Sequence, residues 1–448
     1  MTALVAAPRV TAHPASSLNT YWFELRKLLA QWRIRLVVAA CWLVPALFVA
    51  VVSQQSSLPS DTVFGRWMGQ SGWAGPLVVL AFCSSWGLPL LTSLVAGDVF
   101  AVEDRLGTWR HLLVAVRSPQ RIFAAKALAS LTVLTLLVVG LAVSGIVGGL
   151  LAVGDQPLVG LDGQSLAPVG PVLLAWTYAL APTVAFAGVG LLGSVALGRS
   201  PMGLLAPALL ALGLQLAQLL PLPVVLRVAL PSYGFVAWRG LLTDSVQTST
   251  LVLGLGVSLA WAVATTALAY RLFLRRDFTD VSYDGNGGRF LVKGVLPLTA
   301  LLAVSVGVVA VATPAAGSGI DQTKLEGSVA VAYAHLYRLQ SRELNRPDVT
   351  EAQLATTVTC DKGGSLVEDS GPGNTWRCVA SWHIPGATAV GSAIYQLNVT
   401  PDGRYVADGD GPQQVNGFFT VRTPTGDAPN PLWQFDGIVD LIHSESKG

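Results

Sequence analysis

The chain has 448 residues, of which 52% are hydrophobic and only 12% charged, and its mean hydropathy is +0.56. Soluble domains carry about 25% charged residues, so the composition excludes an ordinary soluble protein and predicts a polytopic membrane protein. The net charge of +2 is too small to direct the chain to nucleic acid, and its cations inform by position rather than by sum.

In chain order, residues 1–35 read as a cytoplasmic leader followed by an interfacial helix. The opening "MTALVAAPRVTAHPASS" has no sustained apolar stretch, being interrupted by Arg9 and His13, so no cleavable signal is predicted. In "LNTYWFELRKLLAQWRIR" the residues Tyr21, Trp22, Leu25, Leu28, Leu29 and Trp32 fall on one helical face, with Glu24, Arg26, Lys27 and Arg33 elsewhere. This pattern predicts a helix lying at headgroup depth, anchored by Trp22 and Trp32.

A membrane span needs roughly 20 mostly apolar residues. Seven runs meet that description, at about 36–52, 75–99, 122–153, 171–197, 202–222, 251–273 and 294–313. With the N-terminus inside, the inner segments hold Arg26, Lys27, Arg33, Arg35, then Arg105, Arg110, Arg117, Arg121, Lys126, then Arg199, and finally Arg271, Arg275, Arg276, Arg289 and Lys293. The short outer loops hold only Arg66, Arg227 and Arg239. This asymmetry predicts a cytoplasmic N-terminus. Seven crossings then place residues 315–448 outside, as a small extracytoplasmic domain. Between the fifth and sixth runs, "LPLPVVLRVALPSYGFVAWRGLLTD" is too apolar for a surface loop and too rich in proline for a span. Such backbone is tolerated at membrane depth only when buried in protein or lining water.

"VEDRLGTWRHLLVAVRSPQRIFAAK", residues 102–126, is a charged island between the second and third runs. Gly107-Thr108 offers a break and a helix N-cap, Trp109, Leu112, Leu113 and Val116 recur at helical spacing, and Ser118-Pro119 ends the segment. The physical pattern is that of a short amphipathic helix on the inner membrane face; the plainer alternative is a basic loop obeying charge asymmetry.

The order Asp98, Glu103, Gly107-Thr108, Leu112-Leu113, Ser118-Pro119, Arg121 and Lys126 resembles the segment after the second span in ATP-binding-cassette (ABC) transporter permeases of the type-2 exporter family. The resemblance implies that this segment is the coupling helix that docks on a separate ATPase, with Glu103, Asp104, Arg105, Gly107, Thr108, Trp109, Arg110, Arg117 and Arg121 docking or shaping it. It also implies an elbow helix before the first span, re-entrant outer helices at the proline-rich stretch, and a dimer of two permease copies. The resemblance covers about residues 18–276. Family members typically have six spans, so the linker and seventh span at 277–314 and the outer domain are additions to the six-span permease domain at 36–276.

The chain carries no Gly-x-x-x-x-Gly-Lys-Ser/Thr phosphate loop. ATP and Mg therefore belong to the partner subunit, and this chain is expected to bind no cofactor or metal and to be no enzyme. His13, His111, His335, His383 and His443 are scattered, and intramembrane acids are nearly absent, which disfavours a metalloenzyme or an ion-coupled carrier. Hydroxyls and amides within the runs, among them Ser84, Ser85, Thr92, Ser93, Thr177, Thr183, Gln215, Gln218, Thr265 and Thr266, either line a cavity or bridge helices.

In the tail, residues 322–345 carry Leu325, Val329, Ala332, Leu336 and Leu339 at helical spacing. The strands "TTVTC", "TWRCVASWHI", "AIYQLNVT" and "RYVADG" follow, with turns at Gly371-Pro372-Gly373 and Pro401-Asp402-Gly403 and a closing helix at about 431–443. This is a small α+β domain. Cys360 and Cys378 fall within it, where the compartment permits a disulfide, the alternative being two free thiols. Trp376 and Trp382 are core aromatics or ligand contacts. The arrangement resembles a small two-cysteine secreted domain common in actinobacteria.

The expected molecule is an all-α polytopic plasma-membrane protein with a small α+β extracytoplasmic domain, the transmembrane subunit of an ABC exporter for amphipathic, lipid-like, drug or peptide cargo. The alternative is a membrane-anchored extracytoplasmic binding or sensory protein without transport activity.

Overall fold

Among the described residues, five helices are long and apolar enough to cross a membrane: α2 (Trp32–Val52), α3 (Ala74–Leu106), α5 (Pro119–Ala152), α6 (Val169–Leu197) and α9 (Thr248–Leu274). The computed structural model describes residues 16–442 except 56–57, 60–61, 117, 198–201, 277, 279–290, 314–319, 363–373 and 425. Arg9, His13, Arg117, Arg199, Arg289, the Gly371-Pro372-Gly373 turn and His443 lie outside the described residues.

The seven apolar runs thus divide into five full-length helices and two shorter ones. α7 (Met202–Leu219) contains Pro207 and stops before Pro221 and Pro223; α10 (Leu296–Ala312) opens on Pro297. Proline sets these limits because its ring and missing N–H admit it only at a helix start or at a kink.

The N-terminal helix differs from its predicted form. α1 (Ser17–Ala30), capped by the Ser16 hydroxyl, ends at Gln31, whose extended backbone starts a new direction for α2. The expected common face of Trp22 and Trp32 is therefore divided between two helices. α1 buries Thr20, Glu24, Leu25 and Leu28 instead, leaving Trp22 48% and Trp32 70% exposed. Glu24, expected on the polar side, faces inward because it has an ionic partner there.

α3 widens into a π turn at Cys83–Gly87. A π turn loosens the carbonyl ladder, and the Gln215 amide of α7 donates to the Ser84 and Ser85 carbonyls at 2.6 and 2.8 Å. Elsewhere Thr177, Thr183 and Thr265 bond to carbonyls of their own helices. Most of these polar groups therefore tie helices together or to themselves.

The proline-rich stretch folds as α8 (Val224–Val228) and the single turns Pro231–Tyr233, Gly234–Ala237 and Trp238–Leu241, largely buried. Gln218 donates to the Arg227 carbonyl (3.0 Å) and Ser232 hydroxyl (2.9 Å), and Arg227 Nε donates to the Leu222 carbonyl (2.9 Å). Side chains thus satisfy backbone that is not continuously helical, as burial requires.

The C-terminal unit lays α11 (Gln322–Glu343), N-capped by Asp321, against a five-stranded antiparallel sheet. The sheet order is β3 (Thr357–Lys362), β4 (Thr375–His383), β5 (Val390–Val399), β6 (Arg404–Gly409) and β9 (Gln434–Ile438). A hairpin β7 (Thr420–Thr423) and β8 (Gly426–Pro429) stands apart from it. A further small pair, β1 (Leu158–Val159) and β2 (Ser165–Leu166), joins α5 to α6. The residues expected to form a closing helix contain β9, which pairs with β6 from Arg404↔Ile438 to Asp408↔Gln434. The edge of β6 supplies ladder partners that a lone helix would lack. Cys360 and Cys378 sit directly opposite each other on β3 and β4, 2.04 Å apart at sulfur. Trp382 packs on Tyr333 at 4.9 Å and Trp376 is buried, so both tryptophans belong to the core.

Candidate functional site

The charged island forms an elbow. α3 ends at Gly107 in the left-handed region (φ 66°), a conformation that favours glycine, and the short helix α4 (Trp109–Val116) follows. Ser118 then accepts from the Arg121 amide and Pro119 occupies the first turn of α5, the pairing expected at a helix start.

Below the elbow lies a buried ionic chain. Glu103, fully buried, accepts from Lys27, from the Thr108 hydroxyl, and from Lys126 at 2.7 Å. Lys126, 1% exposed, also donates to Glu24 at 2.8 Å. Three helices, α1, α3 and α5, are pinned through one ammonium. The Thr108 hydroxyl is directed to Glu103, in place of the first-turn amides that the sequence suggested.

A second set locks α4 to the end of α9. Asp104 accepts two bonds from Arg276, one of them at 2.9 Å, and one from Trp109 Nε1 at 2.6 Å. The Arg276 guanidinium lies 5.8 Å from the Trp109 ring centroid, in cation–π range. Trp109, Phe100, Phe123 and Phe273 form an aromatic cluster with centroids 5.1–6.2 Å apart. Arg105 and Arg33 flank Asp98, Arg33 at 3.3 Å.

The nine predicted docking residues therefore separate by role. Glu103, Asp104, Thr108 and Trp109 turn inward and hold the elbow, Arg105 pairs with Asp98, and Gly107 makes the turn. Arg110 and Arg121 are exposed, and Arg117 lies outside the described residues. Outward-facing Arg110, His111, Val114 and Ala115 form the free side of α4, Val114 being 74% exposed. The Glu24–Lys126 pair was missed because its members stand about a hundred positions apart. Its signal was a lysine inside an apolar helix, which needs a counter-charge.

At the opposite end, the three arginines that break the charge asymmetry all reach the C-terminal unit. Arg66 Nε lies 3.3 Å from Asp436, which also accepts from Arg404 at 3.0 Å. Arg239 pairs with Asp402, and Arg227 donates to the Pro401 carbonyl. His335 Nδ1 donates to the Asp162 carbonyl at 2.8 Å. Burial pushes the Asp402 carboxyl up, but the neighbouring Arg239 guanidinium and Thr400 hydroxyl outweigh it and hold the group below the usual carboxylate range. A cavity of about 530 Å3 lies between the units, bordered by Asp162, Gln247, Lys324, Ser328 and Asp440.

Among the described residues, no group of three or more His, Cys, Asp or Glu is placed to hold a metal ion. No protein-family model matches the chain, and no curated protein or solved structure matches it.

Proposed function

We propose that the chain is the transmembrane subunit of an ATP-driven exporter of the ABC type-2 class. It sits in the plasma membrane with its N-terminus in the cytoplasm and its C-terminal domain outside. A separate cytoplasmic ATPase, carrying ATP and Mg, docks on α4; a second permease copy completes the pathway. The cargo is amphipathic or lipid-like, a drug or a peptide.

The observation that carries this reading is the elbow. Arg110, His111 and Val114 project from α4, while the base of the elbow is held by Glu103, Lys126, Asp104 and Arg276. A handle that is free on one side and fixed on the other moves α3 and α5 as a unit when pushed. The cationic rim around an exposed valine suits a partner groove with an apolar floor and an acidic margin.

The test is affinity isolation of the tagged chain in nanodiscs from its native cells, with a photocrosslinker at Val114→Cys. The expected product is an adduct with a Walker-motif ATPase whose hydrolysis rises when the complex forms. Isolation without an ATPase, and no adduct at Val114→Cys, refutes the reading. The cavity between the units favours a second reading, an anchored binding or sensory protein, and the same null result would leave that one standing.

A further inference from the structure

The seventh apolar helix is unevenly seated. Toward its C-terminal half α10 buries Ser305 and Val309 against the bundle, and Leu301, Leu302 and Val306 lean on the same cluster, which includes Trp261, Val224 and Val228. Beside its N-terminal half, where Leu298 and Leu302 also touch the bundle, α10 borders a pocket of about 270 Å3 shared with α6 and α7. Leu192, Leu210, Leu214, Trp261, Leu298 and Leu302 line it. The one hydroxyl among its described lining residues, Thr299, already donates to the Leu296 carbonyl at 2.8 Å.

Such a space does not hold water, which needs polar partners, and it is nearly twice the roughly 150 Å3 apolar cavity that accepts a benzene ring. The pocket is open on one side, so its lining gains dispersion contacts only from what enters it. Its border is continuous with an apolar exterior: Leu210 is itself exposed, and Leu209 and Leu296 next to the mouth are more so. Whatever surrounds those side chains reaches the cavity without crossing polar surface.

We propose that the wedge between α6, α7, α9 and the N-terminal half of α10 is a binding site for one acyl chain of a membrane lipid. The chain lies against Trp261, between α10 and α7. The proposal rests on the apolar helices lying in a bilayer, and not on ATP-driven transport.

The test uses the full chain in nanodiscs containing a small fraction of phospholipid with a mid-chain diazirine, with adducts mapped by mass spectrometry. Adducts are expected on Leu210 and Leu302 in addition to those on Val252 and Val263, which are exposed on α9. Ala206→Phe, which places a ring in the cavity, lowers pocket labelling roughly tenfold, equivalent to about 1.4 kcal/mol of binding, without changing labelling at Val252 and Val263. Leu302→Trp does the same from the opposite wall, so the outcome does not depend on one variant folding; Leu209→Phe, on the outer surface, has no effect. Labelling confined to the exterior, or pocket labelling that both filled variants retain, overturns the acyl-chain site. Absence of labelling at Val252 and Val263 as well overturns it through the membrane premise, leaving the docking of an ATPase on α4 to its own experiment.

Discussion

Replacing Lys126 by methionine keeps a long unbranched side chain on α5 but removes the ammonium shared by Glu24 and Glu103. Glu103 retains Lys27 and Thr108, so the uncompensated group is Glu24, whose side chain is almost fully buried. Removing one partner of a buried pair costs about 3–5 kcal/mol, and the residual partners of Glu103 place this case at the lower end, about 3 kcal/mol. For a bundle running from Ser17 to Ala312, with about 2.1 cal/mol/K of unfolding entropy per residue, that corresponds to a fall in Tm of roughly 5 °C. The free thiols Cys41 and Cys83, buried and half-buried within the apolar helices, provide the assay: a thiol-reactive fluorogenic dye reports unfolding of the purified protein on heating, while Cys360 and Cys378 stay silent in their disulfide. Adding Glu24→Leu to Lys126→Met removes the stranded carboxylate, and since apolar replacement of a whole buried pair is often neutral, it recovers at least half of the lost Tm. A single variant melting with the parent refutes the pinning role of Lys126. A double variant as unstable as the single refutes the uncompensated charge as the cause.

Gly107→Val places a β-branched residue at φ 66°, where no neighbouring atom crowds the new Cβ. The cost is backbone strain alone, about 1–2 kcal/mol, so the protein melts slightly earlier but remains folded, while α4 is misdirected and Val114→Cys crosslinking to the proposed ATPase drops; Gly107→Asn retains most of it. Arg239→Ala strands the Asp402 carboxylate and weakens docking of the C-terminal unit by about 2 kcal/mol, roughly 30-fold in the docked ratio, read as faster hydrogen exchange in α11. Because the folded carboxyl of Asp402 lies below its ordinary value of 3.8, its contribution to docking is complete above that pH and disappears as pH falls through the folded value; Arg239→Ala flattens this acid dependence. Replacing both Cys360 and Cys378 by serine opens a loop of 18 residues and costs about 3 kcal/mol on the chain-entropy account, lowering the melting point of the C-terminal unit with little change in dye reactivity at Cys41.

Local chemistry was the legible part. Apolar length located α2, α3, α5, α6 and α9 because span formation depends on consecutive residues, and alternation located β3 to β6 because each strand has one covered face. The segment ending in β9 was misread for a complementary reason. Leu432, Phe435, Val439 and Ile442 have helical spacing, yet Gln434–Ile438 is a strand because β6 offers an edge to pair with, a fact held by residues thirty positions earlier. Glu24 belongs to the same class, since nothing within α1 announces Lys126. At the elbow the sequence supplied the turn at Gly107 and the end at Ser118-Pro119, but not which acids face inward. That depends on where Lys27, Lys126 and Arg276 arrive from other helices.

The three arginines on the far side of the bundle act on a domain that is also tethered to it: α10 ends at Ala312 and α11 begins at Gln322. A connection that short confines the C-terminal unit to an effective concentration in the millimolar range or above. Contacts too weak to join two separate proteins are then enough to keep it seated, and its seated fraction does not change on dilution. Any ligand that prefers the lifted unit works against this local concentration as well as against Arg66, Arg227 and Arg239. The tether therefore sets a threshold: a perturbation must outweigh this local concentration as well as the arginine contacts before the unit leaves the bundle.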